Sequence, residues 1–184
     1  NILRDFISQG VDIIMVNPNS PDALNGVISE AQDEGILVVA YDATVTAPNV
    51  LNVTLDHYAW NKKNVEYIAS TLQKGNVIQI YGLDGHPANN ERIRATDDVL
   101  KNYPDIKMIA NTTGYWDQTK AKEVATQIIG SGQQIDGVIT QDGEAYGVLS
   151  AFLDANKLPK VMFGDPGTAF FKEWKKLRDQ GADF

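Results

Sequence analysis

Polar side chains recur along this chain immediately after short apolar runs. Asn17 closes the run at residues 11–17, and Asp42 follows the run at 36–41. The run at 76–81 leads through Gly82 and Gly85 to Asn89, Asn90, Glu91 and Arg92. Beyond the run at 106–110 lie Gly114, Tyr115, Trp116 and Asp117. The run at 135–140 delivers Gln141, Asp142 and Gly143, and the run at 160–164 delivers Asp165, Pro166 and Gly167. Carboxylates, amides and a guanidinium match groups that both donate and accept, often in bidentate fashion. Aromatic faces such as Trp116 suit patches of C–H. A small sugar or polyol offers both. A hydrogen bond between a hydroxyl and a charged partner contributes about 1.5–3 kcal/mol, so a few of them support roughly micromolar binding.

Each position has a purely structural alternative. Asp42 and Asp165 could cap turns or helices, and Asp142, just before Gly143 and a helix, could equally be an N-cap. Arg92 could be a surface arginine, and Trp116 could be a packing tryptophan. Asn17 precedes Pro18 and is by its chemistry a turn former.

Motifs for covalent or metal chemistry are missing. No G-x-G-x-x-G follows a strand, no G-x-x-x-x-G-K-[ST] occurs, and Gly82-x-x-Gly85 lacks the lysine of a phosphate cradle. There is no G-x-S-x-G and no H-E-x-x-H. The two histidines, His57 and His86, stand far apart in sequence. The sequence therefore calls for no cofactor, no metal and no catalytic residue. It reads as a binding protein and not as an enzyme.

The elements that must position these residues alternate regularly. β-rich runs at 11–17, 36–41, 76–81, 106–110, 135–140 and 160–164 are separated by helical patterns. A helix is expected to start at Ser20 and Pro21 and to end at Gly35, burying Leu24, Val27, Ile28 and Ala31. Others are expected over about 58–74, from Pro87 to before Pro104, and over about 118–129, 144–156 and 168–180. Strands joined by helical crossovers run parallel, and apolar runs without alternation belong to sheets covered on both faces. The expected fold is α/β and doubly wound. Only residues 43–57 break the rhythm, with a short strand at 50–54 that no helix precedes. That break places a lobe boundary near 54–56. Residues 1–55 form a partial first lobe and residues 56–184 a nearly complete second one.

Composition narrows the class. Hydrophobic residues make up 43% and charged residues 22%, and no apolar run approaches the length needed to span a bilayer. The 16 Lys and Arg against 24 Asp and Glu give a formal charge of -8, which disfavours nucleic acid. The basic segment 172–178 reads as the solvated face of a helix that buries Phe171, Trp174 and Leu177. There is no cysteine, which excludes disulfides and thiolate ligands and suits an exported bacterial protein. The chain begins without Met in an apparent helix, so its natural start is expected upstream.

Residues 11–42, with N-P after a strand, a D-A-L helix and G-I-L-V-V-A-Y-D, resemble the type I periplasmic sugar-binding proteins of the ribose-binding class. So do the G-x-x-G and E-R segment, the W-D loop, D-G-V-I-T-Q-D and V-M-F-G-D-P-G. The resemblance implies two doubly wound parallel-sheet lobes, the first incomplete here, that close about a hinge on a ligand. It also implies an ABC transporter permease as partner, a periplasmic or lipid-anchored extracellular location, and contact with a membrane only through that permease or anchor. By the same resemblance Asn17, Asp42, Arg92, Trp116, Asp142 and Asp165 contact the ligand. Ala43 stands where an arginine often follows the second-strand aspartate, and Asp142 where asparagine is usual. These departures leave room for a larger sugar, a polyol, an amine-bearing sugar or a furanosyl signal molecule, and the surplus of acids disfavours an anionic ligand. The fold is shared with the effector domains of LacI-type repressors, so a cytoplasmic effector-sensing domain is the alternative.

Overall fold

The apolar runs form strands and the amphipathic segments between them form helices. The structure is a computed structural model that describes residues 2–164 and 167–183. In chain order the elements are α1 (Ile2–Ser8), β1 (Ile13–Val16), α2 (Asn25–Asp33), β2 (Leu37–Tyr41), β3 (Leu51–Val53), α3 (His57–Leu72), β4 (Gly75–Tyr81) and α4 (Pro87–Leu100). They continue with β5 (Ile106–Thr113), α5 (Gln118–Gly130), β6 (Gly137–Ile139), α6 (Ala145–Asp154), β7 (Val161–Met162) and α7 (Thr168–Asp179). Among the described residues no helix is long and apolar enough to cross a membrane. The chain divides into two compact units, Asn1–His57 with Gly85–Glu91, and Tyr58–Asp84 with Arg92–Phe184.

The first unit holds a parallel sheet in the order β1-β2-β3. Ile14, Val38 and Ala40 point to one side and pack with Ile28 and Ala31 of α2 and with Leu3 and Ile7 of α1. The short strand at 51–53 is the edge of this sheet, in register with β2 from Val39↔Leu51 to Tyr41↔Val53. The helix expected from Ser20 begins instead at Asn25. The Ser20 hydroxyl accepts the Ala23 N–H at 3.3 Å and donates to Asp22. The Pro21 carbonyl, which would open the helix, accepts from Thr46 N–H and its hydroxyl. Ser20 thus caps a turn and not a helix. The far end behaves as expected: Gly35, at φ +78, lets the Ile36 N–H return to the Ala31 carbonyl.

The second unit carries a parallel sheet in the order β5-β4-β6-β7. Val77 and Ile139 face α3 and α4 through Val65, Ile68 and Val99. Ile78, Ile80 and Val138 face α5 and α6 through Ala121, Ala125, Val148 and Phe152. Both faces are therefore covered, as a parallel sheet requires. β4 is flanked by β5 on one side and β6 on the other, so the winding direction reverses between β4 and β6. In such sheets ligands bind beyond the carboxyl ends of the strands at that reversal. Two local expectations change. The helix expected over about 58–74, with Gly75 as its stop, ends instead at the left-handed Gln73 (φ +58), and the missing side chain of Gly75 makes room for Asp136. On α7 it is Phe170, lying against Gly164, that is buried with Leu177, while Phe171 is 51% exposed.

Candidate functional site

In the second unit, three loops meet beyond the carboxyl ends of β4, β5 and β6. The loop after β4 starts at Gly82, where a side chain would overlap the Trp116 indole: an added Cβ would lie 1.9 Å from the ring. Only glycine lets Trp116, from the loop after β5, lie against the backbone there. Tyr115 and Trp116 both have left-handed backbones, at φ +60 and +55. Such a conformation costs roughly 1–2 kcal/mol for a residue with a side chain, so the surrounding contacts must hold it. The Tyr115 N–H donates to the Thr113 hydroxyl at 3.1 Å, and that hydroxyl donates to the Gly82 carbonyl at 2.5 Å. The Trp116 indole N–H reaches Gln141 Oε1 at 3.3 Å, tying this loop to the one after β6.

Arg92, on α4, is no surface arginine: 5% of it is exposed. Its guanidinium lies 4.5 Å from the centre of the Trp60 ring and 6.0 Å from that of Trp116. Nη1 donates to Asp142 Oδ2 at 2.5 Å. The Asp142 carboxylate thus turns to Arg92 and does not cap α6, whose N-cap position is Glu144 without a side-chain cap bond. Asp142 itself has φ +113. Asn61 of α3 holds the Arg92 backbone, donating to its carbonyl at 2.6 Å and to the Thr96 hydroxyl at 3.0 Å. Trp60 in turn meets Phe163 edge-on, at 5.2 Å between ring centres.

Glu144 closes the underside of these loops. It is fully buried and accepts the N–H groups of Trp116 and Gln141, each at 3.2 Å. Burial pushes its carboxyl up to about 8, against the opposing effect of those two N–H donors, with Asp142 adding to the rise and Arg92 countering it.

In the first unit, Asp42 ends β2 with a left-handed backbone at φ +65. Its N–H donates to the Val53 carbonyl, and its own carbonyl accepts from the Thr54 hydroxyl and from His57 Nε2, the latter at 2.9 Å. The carboxylate, held outward by this backbone, receives the Asn17 amide at 3.5 Å. Asn17 and Asp42 are therefore together, as are Arg92, Trp116 and Asp142. Asp165 lies outside the described residues.

Residues 1–178 match the periplasmic binding protein domain. The chain belongs to that family. Its fold is the type I periplasmic binding protein fold. A xylitol-binding protein from Mycolicibacterium smegmatis is 34% identical over 166 residues, covering 88% of this chain and 48% of that protein. The ribose import binding protein of Salmonella typhimurium is 25% identical over 169 residues, covering 90% and 57%. An ABC transporter solute binding protein from Thermobispora bispora superposes with a TM-score of 0.88 at 30% identity, covering 99% of this chain and 56% of that one. These periplasmic-binding-protein relatives are binding proteins by name, and the chain spans about half their length.

The sequence assigns no ligand contact to Trp60, Glu144 or His57, and it places Gln141 beyond a strand without carrying it into the set of ligand contacts. Gln141 had a signal, since it follows an apolar run directly. Glu144 stands at the start of a helical pattern, where the local sequence carries no sign of its burial. Trp60 sits in the first turn of α3, where sequence spacing says nothing about a stack on Arg92, 32 residues later.

Proposed function

We propose that this chain belongs to an extracytoplasmic receptor that binds a small neutral, hydroxyl-rich molecule, a sugar or polyol, and hands it to an ABC importer. The lobes are residues 1–55, with Asn17 and Asp42, and residues 56–184, with Arg92, Trp116, Asp142 and Asp165. They close about a hinge, and ligand touching both stabilises the closed state. The receptor performs no chemistry on its cargo and needs no cofactor or metal. It works in the periplasm or tethered outside the membrane, with the permease as its membrane contact.

The observation that carries this reading is the state of Arg92. Its guanidinium is buried, flanked by two tryptophan rings and already ion-paired with Asp142. A charge so matched offers little net attraction to an anion, while the half-exposed carboxylate facing it suits hydroxyls. The flat rings beside it suit C–H faces. Relatives named for xylitol and ribose support the same ligand class.

Calorimetry of the full chain against pentoses, hexoses, polyols and amino sugars tests the reading. Saturable binding of at least one is expected, and Arg92→Ala and Asp42→Ala should each weaken it tenfold or more with far-UV dichroism unchanged. Absence of binding across the panel, or unchanged affinity in both variants, would sink it.

A further inference from the structure

We propose that Glu144 is a positioning residue for ligand recognition: its buried carboxyl fastens the Trp116 loop to the Gln141–Asp142 loop. This inference rests on the receptor reading above. Each carboxyl oxygen takes one backbone N–H, Oε1 from Trp116 and Oε2 from Gln141, so a single side chain spans two loops. The loops it spans carry the left-handed residues Tyr115 and Trp116 and the residue Asp142 at φ +113. Backbones of that kind persist only where their surroundings over-determine them. The space for the carboxyl is itself built: Gly114 has no side chain, and an added Cβ would lie 2.7 Å from Ile80 and 3.2 Å from Glu144 Cγ. The indole-to-Gln141 bond closes the same connection from the side-chain end. Both of these hydrogen bonds run to loop backbone and not to a ligand-directed side chain. It acts by fixing where Trp116 and the Asp142 partner of Arg92 stand.

The charged groups acting on Glu144 are Asp142 and Arg92, and burial outweighs both, keeping the carboxyl protonated at neutral pH. A protonated carboxyl still accepts both N–H bonds. Ionisation near pH 8 would place a second negative charge beside Asp142, so the connection should respond to alkaline pH.

The test uses the full chain as wild type, Glu144→Gln and Glu144→Ala. Glutamine keeps one accepting oxygen but turns an NH2 group toward the second donor; alanine keeps neither. Without ligand, hydrogen-exchange protection at the Trp116 and Gln141 amides should fall tenfold or more in the alanine variant, and less in glutamine. The Trp116 indole resonance, assigned with Trp116→Phe, should titrate near pH 8 in wild type and stay flat in Glu144→Gln. Unchanged protection in both variants would overturn the proposal. With xylitol and D-ribose as probes, affinity should fall fivefold or more in Glu144→Gln, which keeps the fold if alanine does not. Lost protection with unchanged affinity would also overturn it, because the fastened loops would then not serve recognition. Failure of wild type to bind any sugar or polyol would refute the receptor reading, and the positioning role with it, whatever the exchange data show.

Discussion

The two sheets follow the same strand–helix grammar and end in different situations. In the β5-β4-β6-β7 sheet, the side chains of Val77 and Ile78 are wholly buried on opposite faces. In the β1-β2-β3 sheet, Ile14, Val38 and Ala40 are buried on one face, but among the described residues the apolar side chains of the other face stand exposed. Ile13, Met15, Leu37, Tyr41, Leu51 and Val53 are between 43% and 67% exposed. These residues alternate with the buried ones and lie in register across the three strands. Parallel strands normally have both faces covered, and contiguous apolar patches of this kind mark surfaces on which something else packs. Apolar character in a strand therefore reports where a cover is needed. It does not report where one is present.

The comparison breaks first at its strongest point. Phe152 of α6 is 2% exposed and packs against the second sheet with Ile78 and Val138. Phe152→Ala should cost about 3–5 kcal/mol of unfolding free energy, measured by chemical denaturation. A cost below about 1 kcal/mol would mean that this sheet's core is as loosely covered as the first sheet's bare face.

A finer contrast lies between the two ends of the second sheet, each secured by a buried acid. At the amino end, Asp136 accepts from Lys160 Nζ and from the Asn76 N–H, both at 2.9 Å, and these hold its carboxyl below the usual carboxylate range. At the carboxyl end, burial raises Glu144 to about 8. The two signs are opposite. Stability from Asp136 is present above its unfolded pKa and is lost as pH falls through its lowered folded value. Stability from Glu144 is complete below its ordinary 4.5 and is lost as pH rises toward about 8. Asp136→Ala should cost about 1–3 kcal/mol at neutral pH, since it strips the part-buried Asn76 N–H of its acceptor. Asp136→Asn should flatten the acid limb of the stability profile, and Glu144→Gln should flatten the fall between pH 5 and 8. If either limb survived its substitution, the assignment at that end would be wrong.

Much of this was legible in the sequence, for identifiable reasons. The strand–helix alternation is legible because each helix announces itself by period and each parallel strand by an unbroken apolar run. That Asn17, Asp42 and Asp142 stand just beyond strands lay in the rule that parallel strands deliver their last residues to one edge, whereas Arg92 comes from the helix α4 and its pairing with Asp142 was not legible. What stayed hidden depended on the third dimension. Ser20 and Pro21 carry every local mark of a helix start, and Thr46 overrides them by claiming the Pro21 carbonyl. Phe170 and Phe171 are adjacent and equally apolar, and only the space left by Gly164 decides which is buried. Trp60 and Glu144 matter through partners 32 and 28 residues away, a separation no local pattern encodes.

The smallest expected effect is on the bare face itself. Leu51 is 56% exposed on the edge strand β3, beside Val39 of β2. Leu51→Thr introduces a β-branched strand former while removing apolar surface. In the 184-residue chain, its unfolding free energy should change by no more than about 0.5 kcal/mol, as for substitutions away from packed features. Binding of a hydrophobic dye and concentration-dependent association should both decrease, because the patch that drives them shrinks. A loss of about 2 kcal/mol or more would mean that Leu51 is covered in solution, by a second copy or by another part of the polypeptide. The two sheets would then be alike, and the difference drawn between them would disappear.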